Sequence, residues 1–509
     1  CTIQIRGMAP GASLIGLKVF GNANVAPTSR FIEAIDYAVT AGADVLNESF
    51  GGNPYPDSGT DPITLADASA IAAGVTVVAS TGDAGPNGTV GSPASDDIGI
   101  IGVAASTQFR SYLQTTYAGA QLATGTSWVD NNMSGLSSGG ISQSGRTPDL
   151  TAPGDLGWAL CTPNTAIYTG CTSDGGQPSS IQVFGGTSQS SPLTAGAAAL
   201  VIQAYRGTHG GAGPSPALVR QILTSTATDL GLPAYEQGAG ELNALKAVQA
   251  AQSWRDANGK PAGTGSALVV DKTQLFSAAY PYSPVAQTET VTNVGSVPQR
   301  VTAATRTLGR TVSDTNGTAA LNTATASYYV DSFGIKRSYA TVRFTVAQGV
   351  DRLTMYAAAA TAPAASRIIL IDPNGAYTAY SIPQGAANAA QADVRYPAAG
   401  TWTAYLALST SSGFNGTMTW RVLQQNYVPA GIVLPSSFTL APGASRRVAI
   451  VGLEQGQPGD RSASVQFTGS VSGVTSVPFS LRAVVPPWNY SFTGTILGGN
   501  GRGLVGQAE

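Results

Sequence analysis

The stretch from Gly186 to Pro192, Gly-Thr-Ser-Gln-Ser-Ser-Pro, is followed by the small and apolar run Leu-Thr-Ala-Gly-Ala-Ala-Ala-Leu. The run predicts a helix of small residues, and the stretch before it places Ser188 where that helix begins. The N–H groups in the first turn of a helix have no partner inside the helix, so they can stabilise a negatively charged oxygen. Ser188 is therefore a candidate nucleophile, although the same stretch also fits an ordinary helix cap.

A serine nucleophile needs a base that takes its proton, and histidine is the usual one. The chain has a single histidine, His209, in a glycine-rich segment after the same helix. At ~1.5 Å per residue, the helix carries His209 about 25–30 Å from Ser188. We therefore expect His209 in a surface loop, and residues 1–509 contain no evident base for Ser188.

Several short blocks, together with the serine stretch, occur in the order typical of one family of peptidases. The blocks are Gly7–Ile15, Ala43–Gly52, Val75–Asp83, Gly91–Ser95, Ile100–Ala104, Pro148–Gly154 and Gly238–Ala244. In these blocks the chain resembles the subtilisin-like serine peptidases, over about residues 7–250.

This resemblance implies a three-layer α/β domain with a parallel sheet, and hydrolysis of peptide bonds through an acyl-enzyme on Ser188. In the family, the aspartate and histidine of the catalytic triad precede the block that corresponds here to Gly7–Ile15. Both are therefore expected upstream of residue 1. We expect this chain to lack the N-terminal part of the domain and to be inactive by itself.

The resemblance also implies an oxyanion-stabilising role for Asp83, which takes the position of the family's asparagine. An ionised carboxylate donates no hydrogen bond, so Asp83 would serve only when it is protonated. We therefore expect activity to be favoured at acidic pH, or the oxyanion site to be weakened. The alternative for Asp83 is a structural turn aspartate.

Two segments are expected to bind the substrate. By the resemblance, Ser49, Phe50 and Gly51 would pair with an extended peptide backbone, because main-chain pairing tolerates varied sequences. The opposite wall of the specificity pocket would be formed by Ser80, Thr81 and Gly82. Without the resemblance, both segments would be interpreted as plain sheet interior.

Two other functions stay open. An aspartate at position 83 also fits the sedolisins, acidic serine peptidases whose acidic pair likewise precedes the block that corresponds here to Gly7–Ile15. The pair Glu33 and Asp36 follows that block, and we interpret it as a solvated helix face. The other alternative is a catalytically dead scaffold that acts as an extracellular binding or structural protein. In that case Trp402 and Trp420 would line a glycan-binding face, whereas aromatic residues in strands are more often part of a core.

Residues 1–255 alternate short apolar runs with helical patterns, which predicts a parallel sheet. The predicted strands are Leu14–Val19, Val45–Glu48, Val75–Ser80 and Ile100–Val103. The predicted helices are 29–39 with Ser29 as its cap, Thr64–Ala73, and 216–227 with Ser215 as its cap.

From Ala267 onward, period-2 alternation and turn signals predict all-β sandwich domains. Residues 256–324 and 426–487 resemble the fibronectin-III-like domain of large subtilisin-like peptidases, for example in Thr288–Ser296 and Phe438–Ala444. Residues 325–425 resemble an inserted jelly-roll domain, and two sequential sandwiches are the alternative. Residues 488–509 are a tail or the start of a lost module.

Charged residues make up 11% of the chain, against about 25% on average, and the formal net charge is −2. This balance argues against nucleic acid as a partner, and no apolar run approaches the ~18 residues of a membrane span. The low charge suits a secreted, extracellular protein. We expect protein or peptide substrates, a monomer and no cofactor; no calcium-binding loop can be identified, although a structural calcium remains possible.

The three cysteines are Cys1, Cys161 and Cys171. Cys161 and Cys171 bracket a short loop, and we expect a disulfide between them rather than two thiols. Cys1 is then the odd cysteine, with a partner expected upstream. Three scattered cysteines without a suitable histidine predict no metal site.

Overall fold

The computed structural model of the chain describes residues 5–21, 25–52, 60–96, 99–173, 176–255, 265–331, 334–359, 365–381, 389–453 and 457–484. Cys1 and the predicted tail at 488–509 lie outside these ranges. The helices are α1 (Thr28–Thr40), α2 (Pro62–Ala72), α3 (Arg110–Thr115), α4 (Thr187–Thr208), α5 (Pro216–Thr226), α6 (Ala234–Gln237) and α7 (Ala244–Ser253). None of the helices within these ranges is long and apolar enough to cross a membrane.

A four-stranded parallel sheet forms the centre of the N-terminal half. Its strands, in spatial order, are β1 (Val45–Glu48), β2 (Thr76–Ser80), β3 (Ile101–Thr107) and β4 (Leu150–Asp155). Successive side chains of β2 point to opposite faces: Val77 and Ala79 pack with α1 and α2, and Val78 packs with α4, α5 and α7. The sheet therefore lies between two layers of helices, which confirms the predicted three-layer α/β domain.

Two local predictions in this half are wrong. Leu14–Val19 is not a strand: the segment has no regular secondary structure, and Leu14 is 93% exposed. A strand needs a neighbouring strand for its backbone hydrogen bonds, and no part of the described chain supplies one there. Ser29 is not the cap of α1, because the helix begins at Thr28, directly after Pro27 fixes φ at −68°.

Other local predictions are confirmed. The helix predicted at 29–39 is present as α1, and of the four residues expected on its apolar face, Phe31, Ile35 and Ala38 are buried and Val39 is partly buried. The side chain of Ser215 accepts a hydrogen bond from the backbone N–H of Leu218 and caps α5.

A two-stranded antiparallel ribbon leads into α4. It consists of β5 (Gly157–Leu160) and β6 (Ile181–Phe184). The predicted disulfide between Cys161 and Cys171 is present and closes part of the loop that joins the two strands.

The C-terminal half is built of strands. They are β7 (Leu268–Val270), β8 (Leu275–Ala279), β9 (Val285–Asn293), β10 (Gln299–Asn322), β11 (Tyr328–Val330), β12 (Lys336–Val346), β13 (Arg352–Ala359), β14 (Arg367–Ile371), β15 (Tyr377–Tyr380), β16 (Ala389–Arg395), β17 (Gly400–Ser409), β18 (Asn415–Val428), β19 (Ile432–Leu434), β20 (Ser437–Leu440), β21 (Ser445–Leu453), β22 (Gly459–Gly469) and β23 (Gly473–Ala483). This half confirms the predicted all-β class.

Three sheets enclose two separate hydrophobic cores. The largest sheet has the order β16-β13-β18-β10-β22-β23-β8, with β20 also paired to β10, and the others are β11-β12-β17-β14-β15 and β19-β21-β9-β7. The long strand β10 contributes Val301 to one core and Leu321 to the other, and Trp402 is buried in the second. The domain boundaries predicted at 324/325 and 425/426 stay a prediction.

The two halves of the chain share a third, aromatic core. Phe109 and Tyr112 of the N-terminal half pack with Tyr377 of β15, with ring centroids 4.8 Å apart for Phe109 and Tyr377. The buried guanidinium of Arg352 in β13 also forms a bidentate pair with Glu236 of α6. The β region is therefore packed directly against the α/β domain.

Candidate active site

Ser188 lies in the first turn of α4, directly after a tight backbone turn. Gly186 has φ +103°, a region that favours glycine, and its N–H donates to the carbonyl of Gly154 at the end of β4. The next residues enter the helix, so the half-buried Ser188 side chain sits at the carboxyl end of the sheet. Among the described residues, the N–H of Ser188 has no acceptor, as an oxyanion donor requires.

Ser188 and Ser49 contact each other directly. The Ser49 hydroxyl donates to the Ser188 carbonyl at 2.9 Å, and the Ser188 hydroxyl donates to the Ser49 carbonyl at 3.4 Å. The predicted nucleophile and the first predicted substrate-binding residue are thus neighbours.

The other two residues of this segment are placed differently. Phe50 turns into an aromatic cluster with Phe31, at 4.5 Å between ring centroids, and with Phe20. A Cβ on Gly51 would lie 2.5 Å from the carbonyl oxygen of Ser92, so only glycine fits this close approach.

Asp83 lies beside the beginning of α4. Its Oδ1 accepts hydrogen bonds from the N–H and the hydroxyl of Thr187, at 2.8 and 2.9 Å. Its Oδ2 faces Gly186, where an added Cβ would come within 2.6 Å of it. The structure therefore brings Asp83 next to the residue that precedes the predicted nucleophile.

The pKa of Asp83 is raised above its ordinary value. Burial is the main cause, because it disfavours the ionised carboxylate, and the two hydrogen bonds from Thr187 act in the opposite direction. The protonated form is thus favoured over a wider pH range than for an exposed aspartate.

The residues Ser80, Thr81 and Gly82 lie at the end of β2, beside Asp83. The Thr81 hydroxyl is buried and donates to the carbonyl of Ser138 at 3.1 Å. The N–H of Gly82 donates to the Thr187 hydroxyl, and the Gly82 carbonyl accepts from the N–H of Ser138. These contacts fix the segment against α4, so the Thr81 hydroxyl and the Gly82 backbone groups already have protein partners.

His209 lies at the other end of α4, as predicted. The helix ends at Thr208, 20 residues after Ser188, so about 30 Å of helix separates the two side chains. The imidazole stacks on Tyr205 at 3.6 Å between centroids. His209 therefore cannot take a proton from Ser188.

Sequence reasoning missed two residues that organise this site. The amide of Asn47 donates to the Ser49 hydroxyl at 3.0 Å, and its carbonyl accepts from the Ser191 hydroxyl at 2.7 Å. Thr187 connects Gly82 and Asp83 to α4. The one available signal was the position of Asn47 near the carboxyl end of a predicted strand.

A third missed group is Asp155, at the end of β4. It accepts a hydrogen bond from the hydroxyl of Tyr112 at 2.6 Å, and burial raises its pKa to about 6. The nearby charge of Asp83 adds to this rise. Within the described ranges, no group of three or more histidine, cysteine, aspartate or glutamate side chains is placed to hold a metal ion.

Comparison of the sequence with known proteins identifies the family to which the chain is similar. A sequence model described as the subtilase family, peptidase S8, matches residues 1–241. Subtilisin DY of Bacillus licheniformis is 31% identical over 251 residues, which make up 49% of this chain and 72% of subtilisin DY. The human membrane-bound transcription factor site-1 protease is 30% identical over 273 residues, which make up 53% of this chain but only 22% of that protease.

Solved structures of peptidases also resemble the chain. A lanthipeptide protease is 24% identical with a TM-score of 0.35, covering 47% of this chain and 71% of its own. The patellamide maturation protease PatA is 22% identical with a TM-score of 0.36, covering 49% of this chain and 78% of its own.

Proposed function

Because this chain belongs to the subtilase family, we propose that it is part of a secreted serine endopeptidase that acts on proteins or peptides through an acyl-enzyme on Ser188. The observation that carries this proposal is the position of Ser188 in the first turn of α4, where its hydroxyl contacts Ser49 and the preceding Thr187 is bound by Asp83. A nucleophile there has helix N–H groups beside it, which are suited to an oxyanion.

Each neighbouring residue has a role in the proposed reaction. Ser188 attacks the scissile carbonyl, and its own N–H binds the oxygen that becomes negatively charged. Protonated Asp83 supplies the second hydrogen bond to that oxygen. The backbone of residues 49–51 pairs with the extended substrate, and residues 80–82 form the opposite wall of the pocket.

The base that activates Ser188 is proposed to come from polypeptide that precedes Cys1 in a longer chain. The position of His209, about 30 Å along α4 from Ser188, supports this proposal. It follows that residues 1–509 alone turn over substrate far more slowly than the longer chain. As a separate part of the proposal, the active protein works as a monomer.

A fluorophosphonate probe, which reacts with activated serines, tests the proposal. We expect rapid labelling of the chain expressed with its upstream coding sequence, slow labelling of residues 1–509 alone, and none of the Ser188→Ala variant of the longer chain. Equal labelling of the two lengths would contradict the proposed source of the base. Labelling that survives Ser188→Ala would exclude Ser188 as the nucleophile.

The same position of His209 favours one second candidate, a catalytically dead scaffold that binds other molecules outside the cell. The upstream coding sequence separates the two. A histidine and an aspartate that complete the triad favour the peptidase, and an upstream sequence without them, and without an acidic pair, favours the scaffold.

A further inference from the structure

The ribbon formed by β5 and β6 has one face that is entirely apolar. Side chains of directly paired residues share a face, and the pairs Trp158–Val183 and Leu160–Ile181 put four apolar side chains together. Leu160 is 73% exposed and Trp158 is 37% exposed. We call these four residues the ribbon face.

The other face of the ribbon has a different neighbour. Gln182, on that face, donates from its amide to the carbonyls of Gly170 and Thr172, at 2.9 and 3.1 Å. Gly170 lies inside the loop that the disulfide Cys161–Cys171 closes, and Thr172 directly follows that loop. The loop is therefore fastened through Gln182 to the opposite face. On the ribbon face Leu160 and Trp158 are exposed, whereas Ile181 and Val183 are half-buried.

The exposure of this face is unusual for a small element. An isolated two-stranded ribbon is only marginally stable, and Leu160, which is 73% exposed, adds little to its folding. The ribbon is instead fixed by the disulfide and by the hydrogen bond from the Gly157 N–H to the Gln189 side chain in α4. A fixed, exposed apolar face is typical of a binding surface.

The ribbon is continuous with the candidate active site. Phe184 ends β6, and four residues later comes Ser188, so their Cα atoms are at most about 14 Å apart. The four residue pairs of the ribbon extend about 10 Å further. A peptide bound in extended form at Ser188 can therefore reach the ribbon face within about seven residues of the scissile bond.

The scarcity of charged residues in the ribbon and its loop indicates which ligands this surface favours. From residue 157 to residue 184, the sequence contains one charged residue, Asp174, and no lysine, arginine or glutamate. A surface of this kind offers apolar area without salt bridges, so it favours uncharged segments with aliphatic or aromatic side chains.

We propose that the ribbon face is a substrate-binding subsite that selects polypeptides with an apolar segment within about seven residues of the scissile bond. The proposal rests on the proposed function, because it takes the bound polypeptide to be the substrate of Ser188. Its occupant is an extended segment of the substrate, which buries its apolar side chains against Trp158, Leu160, Ile181 and Val183.

Peptide binding tests the subsite without requiring turnover. The probes are two neutral, fluorescein-labelled peptides of about twelve residues, one with leucine and phenylalanine at alternate positions and one with serine at those positions. Fluorescence anisotropy measures their Kd for the 509-residue chain, its Leu160→Ser variant and a control, Leu245→Ser. Leu245 is a matched control because it is 69% exposed and lies on α7, away from the ribbon.

We expect the parent chain to prefer the apolar peptide, Leu160→Ser to weaken that binding roughly tenfold, and Leu245→Ser to leave it unchanged. Equal binding of the two peptides, or an unchanged Kd in Leu160→Ser, would overturn the proposal. So would a dimer of the parent chain that Leu160→Ser dissociates, because the face would then bind a second copy. If the apolar peptide binds in a Leu160-dependent way but Ser188 of the longer chain never reacts with the fluorophosphonate probe, the proposed function is contradicted and the binding surface is not.

Discussion

At the scale of single residues, the hydrogen bonds of Asp83 determine where its proton would be. Oδ1 already accepts two hydrogen bonds from Thr187, so it is the poorer site for a proton. The proton of the neutral acid therefore belongs on Oδ2, the oxygen that faces Gly186. An O–H group on that side of the carboxyl is available to a ligand bound at the beginning of α4, which is where the proposed oxyanion forms.

The first prediction concerns the Asp83→Asn substitution in the longer chain, which is the form proposed to turn over substrate. The parent should lose activity as pH rises through the raised pKa of Asp83, because the ionised carboxylate cannot donate and repels the oxyanion. The asparagine variant donates at every pH, so it should be roughly tenfold or more faster than the parent above neutrality. The measurement is kcat/KM from pH 4 to 9, and identical profiles would remove this role from Asp83.

The second prediction concerns the turn before Ser188. Gly186→Ala forces a Cβ onto a backbone with φ +103° and to within 2.6 Å of the Asp83 carboxylate. We expect a loss of roughly 1–3 kcal/mol in the free energy of unfolding and slower labelling of Ser188. Gly207→Ala is the matched control on α4, because its Cβ meets no atom within 4 Å, and it should stabilise the chain by up to about 1 kcal/mol. A Gly186→Ala variant as stable as the parent would contradict this.

At the scale of elements, apolar runs predicted β2 and β3 because buried parallel strands are rich in apolar residues. The strand β1 was also predicted, although it is only partly buried and contains Asn47 and Glu48. The same rule was wrong for Leu14–Val19, because a pattern shows what a segment can bury and not whether a neighbouring strand pairs with it. Ser188 and Asp83 were placed by short motifs. Asn47 and Thr187 were not, because their roles come from hydrogen bonds to residues more than 100 positions away.

The third prediction concerns the contact between α6 and two strands of the β region. Arg352 is buried and pairs with Glu236 and Asp393, so Arg352→Leu leaves two carboxylates without a cation. We expect a loss of about 3–5 kcal/mol in the free energy of unfolding, measured by urea denaturation. Arg421→Leu is the control, since it breaks an exposed pair with Asp314 and should cost less than about 1 kcal/mol. Equal losses in the two variants would contradict the prediction.

At the scale of the whole molecule, the aromatic core between the two halves was beyond the reach of the sequence. Phe109 and Tyr112 lie in a segment without clear periodicity, and their partner Tyr377 is more than 260 residues away. Tyr112 also donates to Asp155, at the end of the strand that contacts Gly186. Through Tyr377, the β region thus packs against Tyr112, which in turn binds the end of β4 next to the candidate active site.

Several carboxyl groups in both halves are buried and favour their protonated forms. Burial is the main cause in each case, and it raises the pKa of Asp155 to about 6, of Asp67 to about 7 and of Glu289 to about 9. Burial and the adjacent Asp67 also raise the pKa of Glu48. The unfolded chain releases these protons near pH 4, whereas the folded chain keeps them to higher pH.

The fourth prediction follows from the sign of that difference. Between pH 4 and the raised pKa values, the folded state binds more protons than the unfolded state, so the free energy of unfolding falls as pH rises. We expect a higher Tm at pH 5 than at pH 8.

Glu48→Gln should flatten this dependence, because the variant removes a buried carboxyl group whose pKa is raised in the folded state, chiefly by burial. Each proton no longer retained reduces the slope by up to about 1.4 kcal/mol per pH unit. Glu33→Gln, on the exposed face of α1, is the matched control and should leave the slope unchanged. A parent chain whose Tm is constant or rises from pH 5 to pH 8 would show that these carboxyls ionise freely in the folded state, and the argument for a neutral Asp83 would weaken with them.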